Sequence, residues 1–139
     1  MGTKYRPKIS TKNKYWISKH RFYEIQHHCL QYKEWKDEYD TLECQGAKGV
    51  DYDNMPHGNS VGDPTSIIAM RKIVLKDKID LVEKTAHDAE PSLAKYILTA
   101  VTNEGISYNY LELVMGIPCK KDMYYDRRRK FYWLMNQRM

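Results

Sequence analysis

Ser107-Tyr108-Asn109-Tyr110-Leu111-Glu112-Leu113-Val114-Met115-Gly116-Ile117-Pro118-Cys119-Lys120-Lys121-Asp122-Met123-Tyr124-Tyr125-Asp126-Arg127-Arg128-Arg129-Lys130-Phe131-Tyr132-Trp133-Leu134-Met135 decides how this chain reads. Ser107 carries a side-chain oxygen suited to cap a helix over 108–115. Gly116 to Cys119 form a turn, and from Lys120 the basic, aromatic stretch reads as one further helix. A helix, a turn containing glycine and then a basic helix is how a helix-turn-helix offers its second helix to a DNA major groove.

On that last helix, Phe131, Leu134 and part of Tyr124 fall toward a core, leaving Lys120, Lys121, Tyr125, Arg128 and Arg129 nearer the surface. Lys120, Lys121 and Met123, at its beginning, are placed for base edges, because recognition helices read with their N-terminal residues. Arg127, Arg128, Arg129 and Lys130 are expected to grip phosphates, and a hydroxyl of Tyr124 or Tyr125 beside them suits the same task. The plainer reading is a terminal helix whose cations complement its own dipole. Three consecutive arginines followed by a lysine exceed that need.

Charge along the chain agrees. Residues 1–21 hold seven cations and no acid, among them Lys4, Arg6, Lys8, Lys12 and Lys14. Residues 116–139 hold seven cations against Asp122 and Asp126, while the stretch between has 9 basic and 16 acidic side chains. Two basic ends flanking an acidic body fit termini that meet a polyanion, whose phosphates supply most sequence-independent affinity. Residues 1–13 lack periodicity and read as a flexible basic arm, or as no more than a solvated tail.

The rest of the chain reads as all-α. Phe22, Ile25, Gln26, Cys29 and Leu30 share a helical face behind Ser18 as cap, and Tyr32, Trp35, Tyr39 and Leu42 share another. Together they predict an N-terminal helical hairpin over 14–44, or one helix with a break. Residues 45–62 bring four glycines and Pro56 and read as a glycine-rich linker between two units. Asp63 and Pro64 then suit the cap and first position of a long helix ending near His87 or Asp88. Its apolar set Ile67, Ile68, Met70, Val74, Leu75, Ile79, Leu81, Val82 and Ala86 is wide enough for more than one neighbour. A further helix starts at Pro91-Ser92 and stops near Asn103-Glu104-Gly105, so 63–139 forms a helical domain with the helix-turn-helix at its end.

Composition excludes several classes. A length of 139 residues suits one domain with a tail or two small helical pieces. The mean hydropathy of −0.76 and short apolar runs leave no membrane span, which needs about 20 apolar residues. No signal-peptide pattern follows Met1, and three unpaired cysteines read as reduced thiols in a cytoplasm. Twelve tyrosines against two phenylalanines suit shallow cores and interfaces, where the ring is buried and the hydroxyl stays wet. His20, Glu24 and His28 fall four apart on one helical face, a geometry that could hold a metal, but a solvated or packed histidine face is the plainer account. Nothing points to a catalytic group, a metal or a cofactor.

Met55-Pro56-His57-Gly58-Asn59-Ser60-Val61-Gly62-Asp63-Pro64-Thr65, running into a long helix and a C-terminal helix-turn-helix, resembles the RinA/ArpU-type regulators of phages and prophages. The resemblance covers residues 55–139. Its turn, Gly116-Ile117-Pro118-Cys119, and its aromatic pairs depart from the usual sigma-like pattern of a Ser/Thr-rich turn and an arginine-rich reading helix. The resemblance implies a late-gene transcription activator that binds double-stranded DNA in the bacterial cytoplasm and touches host RNA polymerase; separately, the tyrosine-rich apolar faces of the first fifty residues suit either a homodimer interface or packing on the C-terminal unit. The competing expectation is a small phage protein that binds a host protein or takes part in DNA packaging without sequence readout.

Overall fold

The computed structural model describes residues 11–48 and 64–139, which contain six α-helices, one 3₁₀ turn and no strand. The helices are α1 (Lys19–Leu30), α2 (Tyr32–Lys48), α3 (Pro64–Ala89), α4 (Ala94–Thr102), α5 (Tyr108–Leu113) and α6 (Lys121–Arg138). The 3₁₀ turn, Pro91–Leu93, joins α3 to α4. Asp63, the expected cap of α3, lies outside the described residues, as do the arm's Lys4, Arg6 and Lys8.

Ser18 precedes α1 as expected, although its hydroxyl makes no capping hydrogen bond. Ser107 does cap α5, accepting from the Tyr110 amide at 3.2 Å. A single residue, Gln31, separates α1 from α2. That is too short to fold one helix back along the other, and the two lie in different layers: α2 packs chiefly along α3, α1 against α6 and α4. The expected N-terminal hairpin therefore gives way to a break between two helices that take different partners. α2 also continues through Lys48, into the stretch read as linker.

The α2–α3 pair is antiparallel and laced by polar contacts. The Tyr32 hydroxyl donates to Glu83 at 2.8 Å, Arg71 holds Glu38 at 2.5 Å, and Lys72 reaches Glu43 at 2.9 Å. On the facing side of α3, Leu75, Ile79, Val82 and Ala86 are buried at steps of three and four. Ile67, Met70 and Val74 are exposed instead, together with Ile73. The wide stripe read from the sequence is thus covered only over its C-terminal part. The polar contacts of α3 with α6 fall at Thr85, Asp88 and Glu90, beyond those exposed positions.

One continuous core joins every helix. It runs from Ile17, Phe22, Ile25 and Cys29 through Trp35 and Leu75 to Leu93, Ile97, Val101 and Leu111, and on to Tyr124, Phe131, Tyr132 and Met135. The segments on either side of residues 49–63 share this core. Fully burying one such side chain contributes about 1.5–3 kcal/mol. The sequence placed Phe131 inward correctly; Tyr132 and Met135 join it because α6 is covered on more than one side.

Candidate nucleic-acid interface

α6 is the base of the site. It packs on α3, α1 and α4, and every residue from Tyr124 to Asn136 is at least partly buried. Only its first turn, Lys121, Asp122 and Met123, and its last residues are exposed. α5 and α6 are joined by residues 114–120, longer than the three or four residues of a compact helix-turn-helix turn. Gly116 turns the chain with φ of +66°, Ile117 is buried behind it, and the Tyr108 hydroxyl donates to the Cys119 carbonyl at 2.6 Å. These anchors fix where α6 begins and leave Lys120 and Lys121 outside.

The cations of α6 divide by what they touch. Arg127 donates to Glu90 at 3.1 Å and to Asp126 at 2.9 Å, so its charge is engaged within the fold. Arg128 lies 5.2 Å from the Tyr125 ring centroid and faces the buried hydroxyls of Tyr124 and Tyr132. Burial raises the Tyr124 hydroxyl's pKa against the opposing pull of Arg128. Tyr124 itself is fully buried and has no surface to offer a phosphate or base. Lys120, Lys121, Arg129 and Lys130 form no ion pair with any described residue. Lys120, Lys121 and Met123 are exposed; Arg129 and Lys130 are partly so.

The fold brings the two basic ends of the chain together. Tyr15 packs on Trp133 with ring centroids 5.7 Å apart, and Ile17 is buried beside it in the core. Arg21 donates to Asn136 at 2.7 Å and also holds Glu24. Lys14 lies over the Tyr15 ring at 4.9 Å, so it too is brought toward Trp133 on α6. The acid-rich α2 packs along α3 instead. Sequence reading named both basic segments; their convergence depended on Tyr15 and Trp133, 118 positions apart in the chain.

The histidine face holds no metal geometry. Glu24 is taken by Arg21, and His28 lies 4.9 Å from the Trp35 ring. Among the described residues no three His, Cys, Asp or Glu side chains are grouped to bind an ion. Asp122, which the sequence reading left out, joins Lys121 and Met123 on the exposed first turn, where an acid also complements the helix dipole. No described helix is long and apolar enough to cross a membrane. Compared with protein-family models, curated proteins and solved structures, the chain matches none.

Proposed function

We propose that this chain is a DNA-binding transcriptional regulator of the phage or prophage kind represented by the RinA/ArpU-type proteins. The observation that carries the reading is the gathering of both basic segments on α6, at Tyr15–Trp133 and Arg21–Asn136, with Lys120 and Lys121 unpaired at its exposed beginning. Phosphates would supply counter-charge to Lys120 and Lys121, and their neutralisation makes binding salt-dependent. The exposed turn with Lys121, Asp122 and Met123 is the part of α6 that would meet base edges, where lysine suits guanine O6 and N7 and an acid suits cytosine N4. Arg129 and Lys130 would hold phosphates. Host RNA polymerase and a second copy of the chain are the partners this reading allows.

A second reading is favoured by Ile67, Met70 and Val74, which leave α3 with an exposed apolar stripe of the kind protein partners cover. It makes the chain a phage protein that binds a host protein or serves DNA packaging. Binding of the full-length protein to labelled duplexes from the DNA flanking its own coding sequence, against random duplex, separates the two. A regulator is expected to prefer one fragment by about 10³-fold or more. Equal, weak binding to every duplex would overturn sequence-specific regulation and favour the second reading.

A further inference from the structure

Burial alternates from Asn13 to Ser18. Asn13 accepts the Tyr15 amide through its side chain at 2.8 Å and the Trp16 amide through its carbonyl at 3.0 Å, making a rigid turn. Within and just after it, Tyr15 is 8% exposed and Ile17 is 4% exposed, while Trp16 between them is 40% exposed. With Tyr15 anchored on Trp133 and Ile17 in the core, the Trp16 indole between them is left outward. Trp35, by contrast, is buried and Trp133 is covered by Tyr15.

Along the chain Trp16 is flanked by cations. Residues 11–21 contain Lys12, Lys14, Lys19 and Arg21 and no acid, and the nearest acid along the chain, Glu24, is held by Arg21. On α6, Arg129 and Lys130 lie one turn before Trp133. An outward aromatic ring flanked by cations is the combination that binds unpaired bases: the ring stacks on a base face, and the cations follow the backbone. We infer that Trp16, with Lys14 and Lys19, forms a stacking platform for single-stranded nucleic acid, at a distance from the duplex-facing beginning of α6. Lys121 and Trp133 are twelve residues apart on α6, roughly 18 Å at 1.5 Å per residue, so the two sites address different parts of a ligand. The inference does not depend on the duplex reading.

The test uses full-length protein with end-labelled dT20 and rU20 followed by anisotropy, alongside tryptophan emission. Single strands are expected to bind and to quench wild-type emission. Trp16→Ala is expected to weaken single-strand binding about 5- to 100-fold, the loss of one stacked base, with far-ultraviolet circular dichroism unchanged. Trp16→Phe is expected to stay within about threefold of wild type while losing the quench. The dT and rU arms decide whether the strand is DNA or RNA. Unchanged single-strand affinity in Trp16→Ala, absence of single-strand binding by the wild type, or an equal loss on a duplex of the same length would each overturn the assignment. Loss of duplex preference in Lys120→Ala/Lys121→Ala with the dT20 quench intact would show the two sites to be independent.

Discussion

Replacing Lys120 and Lys121 together by alanine tests which cations of α6 meet DNA. Both side chains are exposed and unpaired among the described residues; the nearest aromatic contact is Lys121 over Tyr125 at 6.0 Å. Their removal should therefore change folding stability by no more than about 0.5 kcal/mol. Standing in the groove between two phosphate rows, each ammonium group also displaces condensed counterions; at one neutralised phosphate apiece and about 0.9 each, the double variant should lose about 1.8 of the slope of log affinity against log salt. Between about 50 and 200 mM salt, a fourfold change, that makes the fall in affinity roughly 12-fold smaller than for wild type. Anisotropy titrations of a labelled duplex at several salt concentrations measure it. Arg127→Ala is the control, because Arg127 is bound to Glu90 and Asp126. Its loss should cost about 1 kcal/mol and lower Tm by roughly 4 °C, as expected for a half-exposed pair in a chain of this size, without altering the slope. An unchanged slope in the lysine variant, or an equal drop in Arg127→Ala, would refute this division of roles.

Two further outcomes follow from the packing. His28 has its pKa held below the ordinary 6.5 by burial first, then by Lys78 and Arg21, and it lies against Trp35. The folded chain thus resists the proton that the unfolded chain accepts, so stability is full above about pH 6.5 and declines as pH falls toward the folded-state value. Urea midpoints at pH 7.5 and 5.5 should show a decline that shrinks in His28→Asn; an equal decline in both proteins would argue against it. Gly116→Ala meets no atom within 4 Å, so its cost is the left-handed backbone at φ +66°, about 1 kcal/mol by chemical denaturation, and Gly116→Asn should cost less. No loss in either variant would mean that the turn relaxes.

The sequence by itself determined the helical class and the positions of most helices, because local signals suffice for both. Pro64 at the start of α3, Ser107 before α5 and Gly116 after it act on their own neighbours, and three- and four-residue spacing marks Phe22, Ile25 and Cys29 as one inward face. It also located the basic ends, since charge needs no fold to be counted. Where helices go after they end is not a local matter. The break at Gln31 was legible as a hairpin or a kink, and the choice was made by Trp35 and Tyr32 docking on α3 while Phe22 docked on Tyr132.

Which cations remain available was likewise decided only in three dimensions. Arg127, Arg128, Arg129 and Lys130 are alike in the sequence, yet Glu90 takes the first and the tyrosines enclose the second. Tyr124 reads as part of a binding helix until α6 is covered by its neighbours, when it becomes core. Trp16 stands among aromatic and basic residues in the sequence, and its outward direction follows from Tyr15 and Ile17 finding partners. Periodicity fixes which residues share a face; contacts between residues far apart in the chain fix what that face meets, because burial and charge pairing depend on neighbours that only the folded chain supplies.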